Sequence, residues 1–251
     1  MYQEERLLKI LEQLNEQQSM SVNEICERFH VSRDTARRDI VKLVEKGAVI
    51  RTHGGVSLPK LNETLLAYRE RVHTYSKEKM RIGAKANTLI KENQTCFFDV
   101  STTVSYLAER LKHKVNVFTH SLDIAEILSN QDPISLFLLG GKFNVNNRFF
   151  FDMESIQQVL NINFDLAFLG AAAIMDDGVF FEDKEDAYMK QTITKRASRN
   201  VVLADYKKFK LTSYYKGIDW QDIDVIITDK MPPKVFVNKI QDVGIDLIIA
   251  E

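Results

Sequence analysis

VSRDTARRDIVKLVEKGAVIRTHGG, residues 31–55, is the stretch on which the reading of this chain turns. Ser32 stands where a helix cap belongs, its hydroxyl placed to accept from a free backbone N–H of the first turn. Behind it Ala36, Ile40 and Leu43 recur at helical spacing and make one apolar face. Arg33, Asp34, Arg37 and Arg38 point away from that face at i,i+4 separations. Gly47 ends the helix, and AVIRTHGGVSL then reads as two short β segments around a Gly54-Gly55 turn.

Upstream, Ser21 and Glu24 form a capping-box pattern that opens a helix with Val22, Ile25, Cys26 and Phe29 inside. His30-Val31 is the turn between the two helices. Leu7, Leu8, Leu11 and Leu14 predict an earlier amphipathic helix. Three short helices closed by a β-hairpin make a winged helix-turn-helix, whose last helix can enter a major groove about 12 Å wide.

The charge pattern fits that reading once it is taken locally. The whole chain has a formal net charge of −1. Residues 33–51, however, hold six basic side chains (Arg33, Arg37, Arg38, Lys42, Lys46, Arg51) against three acidic ones. Phosphate contact depends on such local clustering. Arg37 and Arg38 could clamp a phosphate or pair bidentately with guanine, and Thr35 could touch a thymine methyl. Arg33, Asp34 and Ser32 share that helix end; Arg51, His53 and Gly54 belong to the hairpin, where glycine lets backbone approach DNA closely. The plainer alternative is a solvated helix with a surface Asp34–Arg38 ion pair.

Domain organisation follows from the change of pattern: residues 1–57 as the DNA-binding unit, 58–76 as a polar linker with a helical stretch near Leu65–Val72, and 77–251 as an α/β domain. In the last, the apolar runs TCFFDV, VNVFTH, ISLFLLG, FDLAFLG, NVVLAD, DVIITD and DLIIA alternate with helical stretches at Lys77–Lys91, Val104–Lys112 and Asp183–Ala197. Continuous apolar strands between helices imply a sheet covered on both faces. Cys26 and Cys96 have no metal-ligand spacing and read as reduced thiols. MYQEERLL lacks a signal-peptide run and no apolar run reaches 18 residues, so a cytoplasmic protein without a membrane span is expected.

The motif of residues 31–40 followed by Gly47 and Arg51-Thr52-His53-Gly54-Gly55 resembles the signature of the DeoR family of bacterial regulators, V-S-x-x-T-[IA]-R-R-D-[LI], then G, then R-x-H-G-G; every fixed position is met. The resemblance implies that Arg37 and Arg38 contact operator DNA and that the hairpin is the wing. It extends to the C-terminus, through Phe98-Asp99-Val100-Ser101-Thr102-Thr103 (family [FL]-D-x-G-T-T), Thr119-His120-Ser121 (T-N-S), Leu139-Gly140-Gly141, Phe168-Leu169-Gly170-Ala171, Glu185 with Lys190, and Leu203-Ala204-Asp205 with Lys208. It implies a fold resembling ribose-phosphate isomerases and CoA transferases, with a phosphorylated sugar as effector.

On that basis the effector candidates are Asp99, Ser101, Thr102, Thr103, His120, Gly141, Arg148, Lys190 and Lys208. Asp99 would accept sugar hydroxyls. The hydroxyls after it would donate to phosphate, although Ser101–Thr103 also read simply as helix caps. Lys190 and Lys208 would meet anionic oxygens, or else face solvent.

Departures from the family pattern are several. Ser101 replaces a glycine, His120 an asparagine, Asn147-Arg148-Phe149-Phe150-Phe151-Asp152 a T-G-x-x-V-G loop, and Gly170-Ala171-Ala172-Ala173 a G-A-D-G run. Arg148 could take over the phosphate, and Phe149–Phe151 read as core or subunit interface. The sequence thus predicts a repressor of a carbohydrate operon, without cofactor or metal, acting as a homodimer or homotetramer. The alternatives are a regulator that has lost sugar sensing and a sugar-phosphate isomerase with a DNA module.

Overall fold

A computed structural model describes residues 3–17, 19–45, 49–52, 54–57 and 76–251. The chain divides into two compact units, residues 1–63 and 64–251. The expected linker, apart from Ser76, lies outside the described residues, as do Gly47 and His53.

The first unit runs α1 (Gln3–Gln17), β1 (Ser19–Ser21), α2 (Val22–Phe29), α3 (Arg33–Glu45), β2 (Ile50–Thr52) and β3 (Gly55–Ser57). Both predicted caps form. Ser21 and Glu24 exchange hydrogen bonds of 3.2 and 2.6 Å, and the Ser32 hydroxyl accepts from the Thr35 N–H at 3.2 Å. His30 adopts a left-handed conformation and turns the chain from α2 into α3.

The inner face of α1 is Leu7, Ile10 and Leu14, with Leu11 partly covered. Leu8, expected inside, is 63% exposed. The Leu7–Leu8–Leu11–Leu14 pattern holds one residue too many for the stripe, and Ile10 at i+3 from Leu7 takes the place. β1 was not anticipated. It pairs antiparallel with β3 in a sheet ordered β1-β3-β2. Gly55 makes that pairing possible: a Cβ there would lie 2.2 Å from the Met20 carbonyl oxygen.

The second unit begins with α4 (Ser76–Asn87), β4 (Thr95–Phe98), α5 (Thr102–Ala108), β5 (Asn116–Thr119), α6 (Leu122–Leu128) and β6 (Ser135–Leu138). A hairpin, β7 (Lys142–Asn144) and β8 (Phe149–Phe151), leads into α7 (Met153–Leu160). Then come β9 (Leu166–Leu169), β10 (Ala173–Met175), β11 (Gly178–Phe181), α8 (Lys184–Thr194), β12 (Asn200–Leu203), β13 (Tyr215–Ile218), β14 (Val225–Thr228), α9 (Lys234–Val243) and β15 (Asp246–Ile249). The helices expected at Lys77–Lys91, Val104–Lys112 and Asp183–Ala197 form, each a few residues shorter than its apolar pattern, while the stretch expected near Leu65–Val72 lies outside the described residues.

All seven apolar runs become strands of one parallel sheet, ordered β15-β14-β12-β9-β4-β5-β6. Residues alternate between two cores. Phe97 joins Ile156, Val159 and Ile193 on one face, while Cys96 and Phe98 join Ile82, Val104 and Leu107 on the other. Burial, with Asp165 nearby, pushes the Cys96 thiol up to about 12, which keeps it protonated and inert. The small sheet β10-β11-β13 covers part of the first core.

Strand order positions the site. From β4 the chain moves outward through β5 and β6, then returns to β9 on the other side of β4. A crevice opens beyond the carboxyl ends of strands at such a reversal. Asp99 follows β4, His120 follows β5 and Gly170 follows β9.

Candidate nucleic-acid interface and effector site

On α3, the side chains proposed to meet DNA stand clear. Arg33, Asp34, Arg37 and Arg38 are exposed and Thr35 half-buried. Arg33 donates to Asn23 Oδ1 at 2.9 Å, and Ser32 shares a 2.9 Å hydroxyl contact with Thr35. No ion pair joins Asp34 to Arg38 among the described residues, so the surface-pair alternative is not what this helix end displays. Arg37 and Arg38, with Gln3, Val41 and Lys42, line an open groove of about 500 Å³. Arg51 is exposed on β2. Gly54, at φ +97°, has nothing within 4 Å of the place a Cβ would take, as a wing tip needs. Gly55 serves the packing of β1 instead.

What holds α3 in place was not read from the motif. Asp39, buried, receives Arg6 Nε at 2.6 Å and a second Arg6 nitrogen at 3.2 Å, with Gln3 Nε2 at 2.8 Å. Gln3 in turn accepts from Lys42 at 2.6 Å. A bidentate charge pair of this kind fixes angle as well as distance. It anchors the helix from behind while Arg37 and Arg38 face outward.

In the second unit the structure brings Asp99, His120 and Lys190 together and adds Asp186. Lys190 Nζ lies 2.8 Å from Asp99 Oδ1 and makes a short contact with Asp186 Oδ1. His120 Nε2 is 3.4 Å from Asp99 Oδ1 and 3.7 Å from Asp186 Oδ1. The Gly170 N–H donates to Asp99 Oδ2 at 2.8 Å. Phe97 and Phe149 flank the imidazole, and Phe181 lies 4.4 Å under the ammonium.

The cluster is closed, with Lys190 only 1% exposed. Burial disfavours charge at Asp99, but Lys190 and the His120 hydrogen bond outweigh it and hold the carboxyl at about 2. At Asp186 burial, reinforced by Asp99, wins and the carboxyl rises. Burial opposes the Lys190 charge too, yet the two carboxylates raise the ammonium above its usual range. With its proton on Nε2, His120 leaves Nδ1 as a buried acceptor without a partner among the described residues.

Donor atoms of Asp99, His120 and Asp186 lie within 4.8 Å of one another, a spacing that suits a metal ion. The Lys190 ammonium, however, already holds the position between the carboxylates that a cation would take.

Ser101 caps α5, accepting from the Thr103 N–H at 3.2 Å. It also packs on Gly170, where a Cβ would come within 2.4 Å of Ser101 Cβ. Thr102 and Thr103 are buried in the first turn of α5. Three candidates stand outside the cluster. Arg148 Nε pairs with both oxygens of Asp123 at 2.7 and 2.9 Å, and its guanidinium reaches Glu126 at 3.5 Å. Gly141 turns the chain into β7 against the backbone of Phe151. Lys208, half-buried, lies in a short 3-10 helix, Tyr206–Lys210, capped by Asp205. The residue that sequence reasoning missed is Asp186. Glu185 carried the family match but is exposed; Asp186, one turn before Lys190, meets it.

The family model described as DeoR-like helix-turn-helix domain matches residues 6–61, and that described as DeoR C terminal sensor domain matches residues 74–230. The HTH-type transcriptional repressor GlcR of Bacillus subtilis is 36% identical over 100% of this chain and 98% of its own length. The HTH-type transcriptional regulator GolR of Listeria innocua is 32% identical over 100% of both chains. Among solved structures, ribose 5-phosphate isomerase A of Methanocaldococcus jannaschii is 17% identical, with a TM-score of 0.39 over 54% of this chain and 55% of that one.

Proposed function

Because the chain belongs to the DeoR family of transcription regulators, we propose that it is a sequence-specific repressor of a carbohydrate-metabolism operon whose hold on operator DNA is set by a phosphorylated sugar. The observation that carries the DNA half is the outward display of Arg37 and Arg38, with no ion pair among the described residues, on a helix locked from behind by Asp39 and Arg6. Ser32, Arg33, Asp34 and Thr35 complete the groove-facing end; Arg51, His53 and Gly54 supply the wing. The protein acts in the cytoplasm, where its operator is, as a homodimer or homotetramer.

In the sensing half, Asp99, His120 and Lys190 read sugar hydroxyls, with Asp186 balancing Lys190. Ser101, Thr102, Thr103, Gly141 and Lys208 surround the phosphate end. Arg148 joins them once Asp123 and Glu126 release it. Relatives support this class of effector operon by name: an Escherichia coli (strain K12) relative at 27% identity is a glycerol-3-phosphate regulon repressor, and a Lactococcus lactis relative at 31% is a lactose phosphotransferase system repressor.

The same electrostatics argue for a sensor without turnover. A general base works best with a pKa near the operating pH. Asp99, held at about 2 and saturated by Lys190, His120 and Gly170, is a poor base.

Fluorescence anisotropy on the DNA upstream of the chain's own gene tests the proposal. Binding at moderate salt is expected, and a phosphorylated sugar should release it. Arg37→Ala should cost about 1–3 kcal/mol at one base pair, or weaken all sequences alike and lower the salt slope by about 1 if it holds phosphate. Absence of binding there and at neighbouring promoters refutes the reading.

The closure of the cluster favours one second reading, a regulator that no longer senses sugar phosphates. Thermal shifts separate the two. An effector at 100 times its dissociation constant stabilises its target by about 2.7 kcal/mol, whereas the second reading expects no shift with any common sugar phosphate.

A further inference from the structure

Helix α3 turns by about 100° per residue, so its buried and free faces can be mapped around the axis. Ala36, Ile40 and Leu43 face the core, and Asp39 is held by Arg6. Val41 falls about 160° from Asp39 and about 20° from Asp34, between Arg37 and Arg38. It is 43% exposed, and it lines the open groove together with those two arginines.

The cations on this helix are not equally free. Arg33 donates to Asn23 at 2.9 Å and Lys42 to Gln3 at 2.6 Å, which draws them toward α2 and α1. Arg37 and Arg38 are left on either side of an apolar spot in the middle of a charged face. Folding of the helix does not account for a valine there, because valine is a poorer helix former than lysine, arginine or glutamate. Val44, 39% exposed, is a different case. It lies about 40° from buried Ile40, at the margin of the core face.

A branched apolar side chain can read very little in a major groove. It neither donates nor accepts, and the apolar group that the base edges present there is the 5-methyl of thymine. Thr35, the other methyl-bearing candidate of this helix, is half-buried with its hydroxyl on Ser32 at 2.9 Å. We propose that Val41 is a specificity-determining residue that packs on the methyl group of a thymine in the operator. Arg37 and Arg38 hold the polar groups on either side of that contact. The inference rests on the DNA-binding reading above and adds one base to it.

Deoxyuridine scanning tests it on the full chain. Each thymine of the footprinted operator is replaced in turn by deoxyuridine, which pairs identically and lacks only the methyl. Anisotropy should show wild-type binding weakened about fourfold at one thymine of a site, the worth of one buried carbon. Val41→Ser, equal to valine in helix propensity, should bind the thymine operator about fourfold more weakly and no longer distinguish the two bases. Val41→Lys, a stronger helix former, should lose the same discrimination whatever it adds to overall affinity. Val44→Ala should keep it. Circular dichroism of each variant should match the wild type. Operator binding that no deoxyuridine weakens overturns the inference alone, as does discrimination that survives in both Val41 variants. A wild type that binds no operator overturns the DNA-binding reading and this inference with it.

Discussion

Replacing Lys190 by methionine removes the one cation among Asp99, Asp186 and His120 while keeping most of the side-chain volume. The ammonium lies 2.8 Å from Asp99 Oδ1, and nearer to Asp186. At an effective dielectric of about 20, two unit charges 4 Å apart attract by about 4 kcal/mol. Against two such attractions stands the cost of burying the ammonium, several kcal/mol per ion. Breaking a buried pair from one side leaves the other charge stranded, and costs about 3–5 kcal/mol. For a unit of this size, at about 2–4 °C per kcal/mol, the melting temperature should fall by roughly 6–20 °C.

Trp220, the chain's single tryptophan, is buried in the second unit and reports on that unit alone during urea unfolding. The loss should shrink as pH falls, because a stranded carboxylate that burial pushes up takes up a proton and no longer carries an unpaired charge. Asp186→Asn should be milder than Asp99→Asn, because Asp186 is the carboxyl that burial already pushes toward neutrality. Lys190→Met combined with Asp186→Asn should recover part of the loss. A cost under about 0.5 kcal/mol for Lys190→Met, the range of ordinary surface substitutions, refutes the closed, charge-balanced cluster.

Other outcomes follow from the same geometry. Asp39→Ala should destabilise the first unit by about 3–5 kcal/mol by stranding Arg6, and DNA binding should fail in anisotropy, while Asp34→Ala leaves stability within about 0.5 kcal/mol. Gly170→Ala should cost about 1–3 kcal/mol through its clash with Ser101, and Ser101→Gly in the same chain should relieve it, both read by Trp220 unfolding. Ser21→Ala should cost about 0.5–2 kcal/mol by removing the cap of α2, measured by circular dichroism. Asp99 also sets an acid limit. Its folded-state pKa is depressed from 3.8 to about 2, so its contribution is complete above pH 4 and drains away as pH falls toward 2; Asp99→Asn should flatten acid unfolding in that window.

The main sheet was legible because its inner strands, buried on both faces, are apolar at nearly every position, as in Val225–Thr228 or Leu166–Leu169, and the edge strands β6 and β15 keep apolar runs although they are partly exposed. The hairpin β7–β8 and the sheet β10-β11-β13 were not. Lys142–Asn144 and Tyr215–Ile218 break any apolar run with lysine, asparagine or glycine, and Phe149–Phe151 looks the same in a core as in a strand. Side-chain partners were hidden for a different reason. Nothing local marks Arg6 as the counter-charge of Asp39, 33 residues away, because the pairing is made by the angle between α1 and α3.

The buried cluster of the second unit shows the sharper limit of a motif. Asp99, His120 and Lys190 were found through resemblance, but resemblance assigned the adjoining carboxylate to Glu185. Helix geometry decides otherwise. From Lys190, residue 186 lies one turn back on the same face, whereas residue 185 is rotated toward solvent. Two of the departures from the family pattern acquire a physical account in the same way. Ser101, where the family pattern has glycine, is accommodated because Gly170 opposite it has no side chain. His120, where the family pattern has asparagine, fills the space between Phe97 and Phe149 and brings its Nε2 to Asp99. Ser101 and His120 are thus each matched by a neighbour, and with Asp186 they make this cluster a repacked one with its own charge balance.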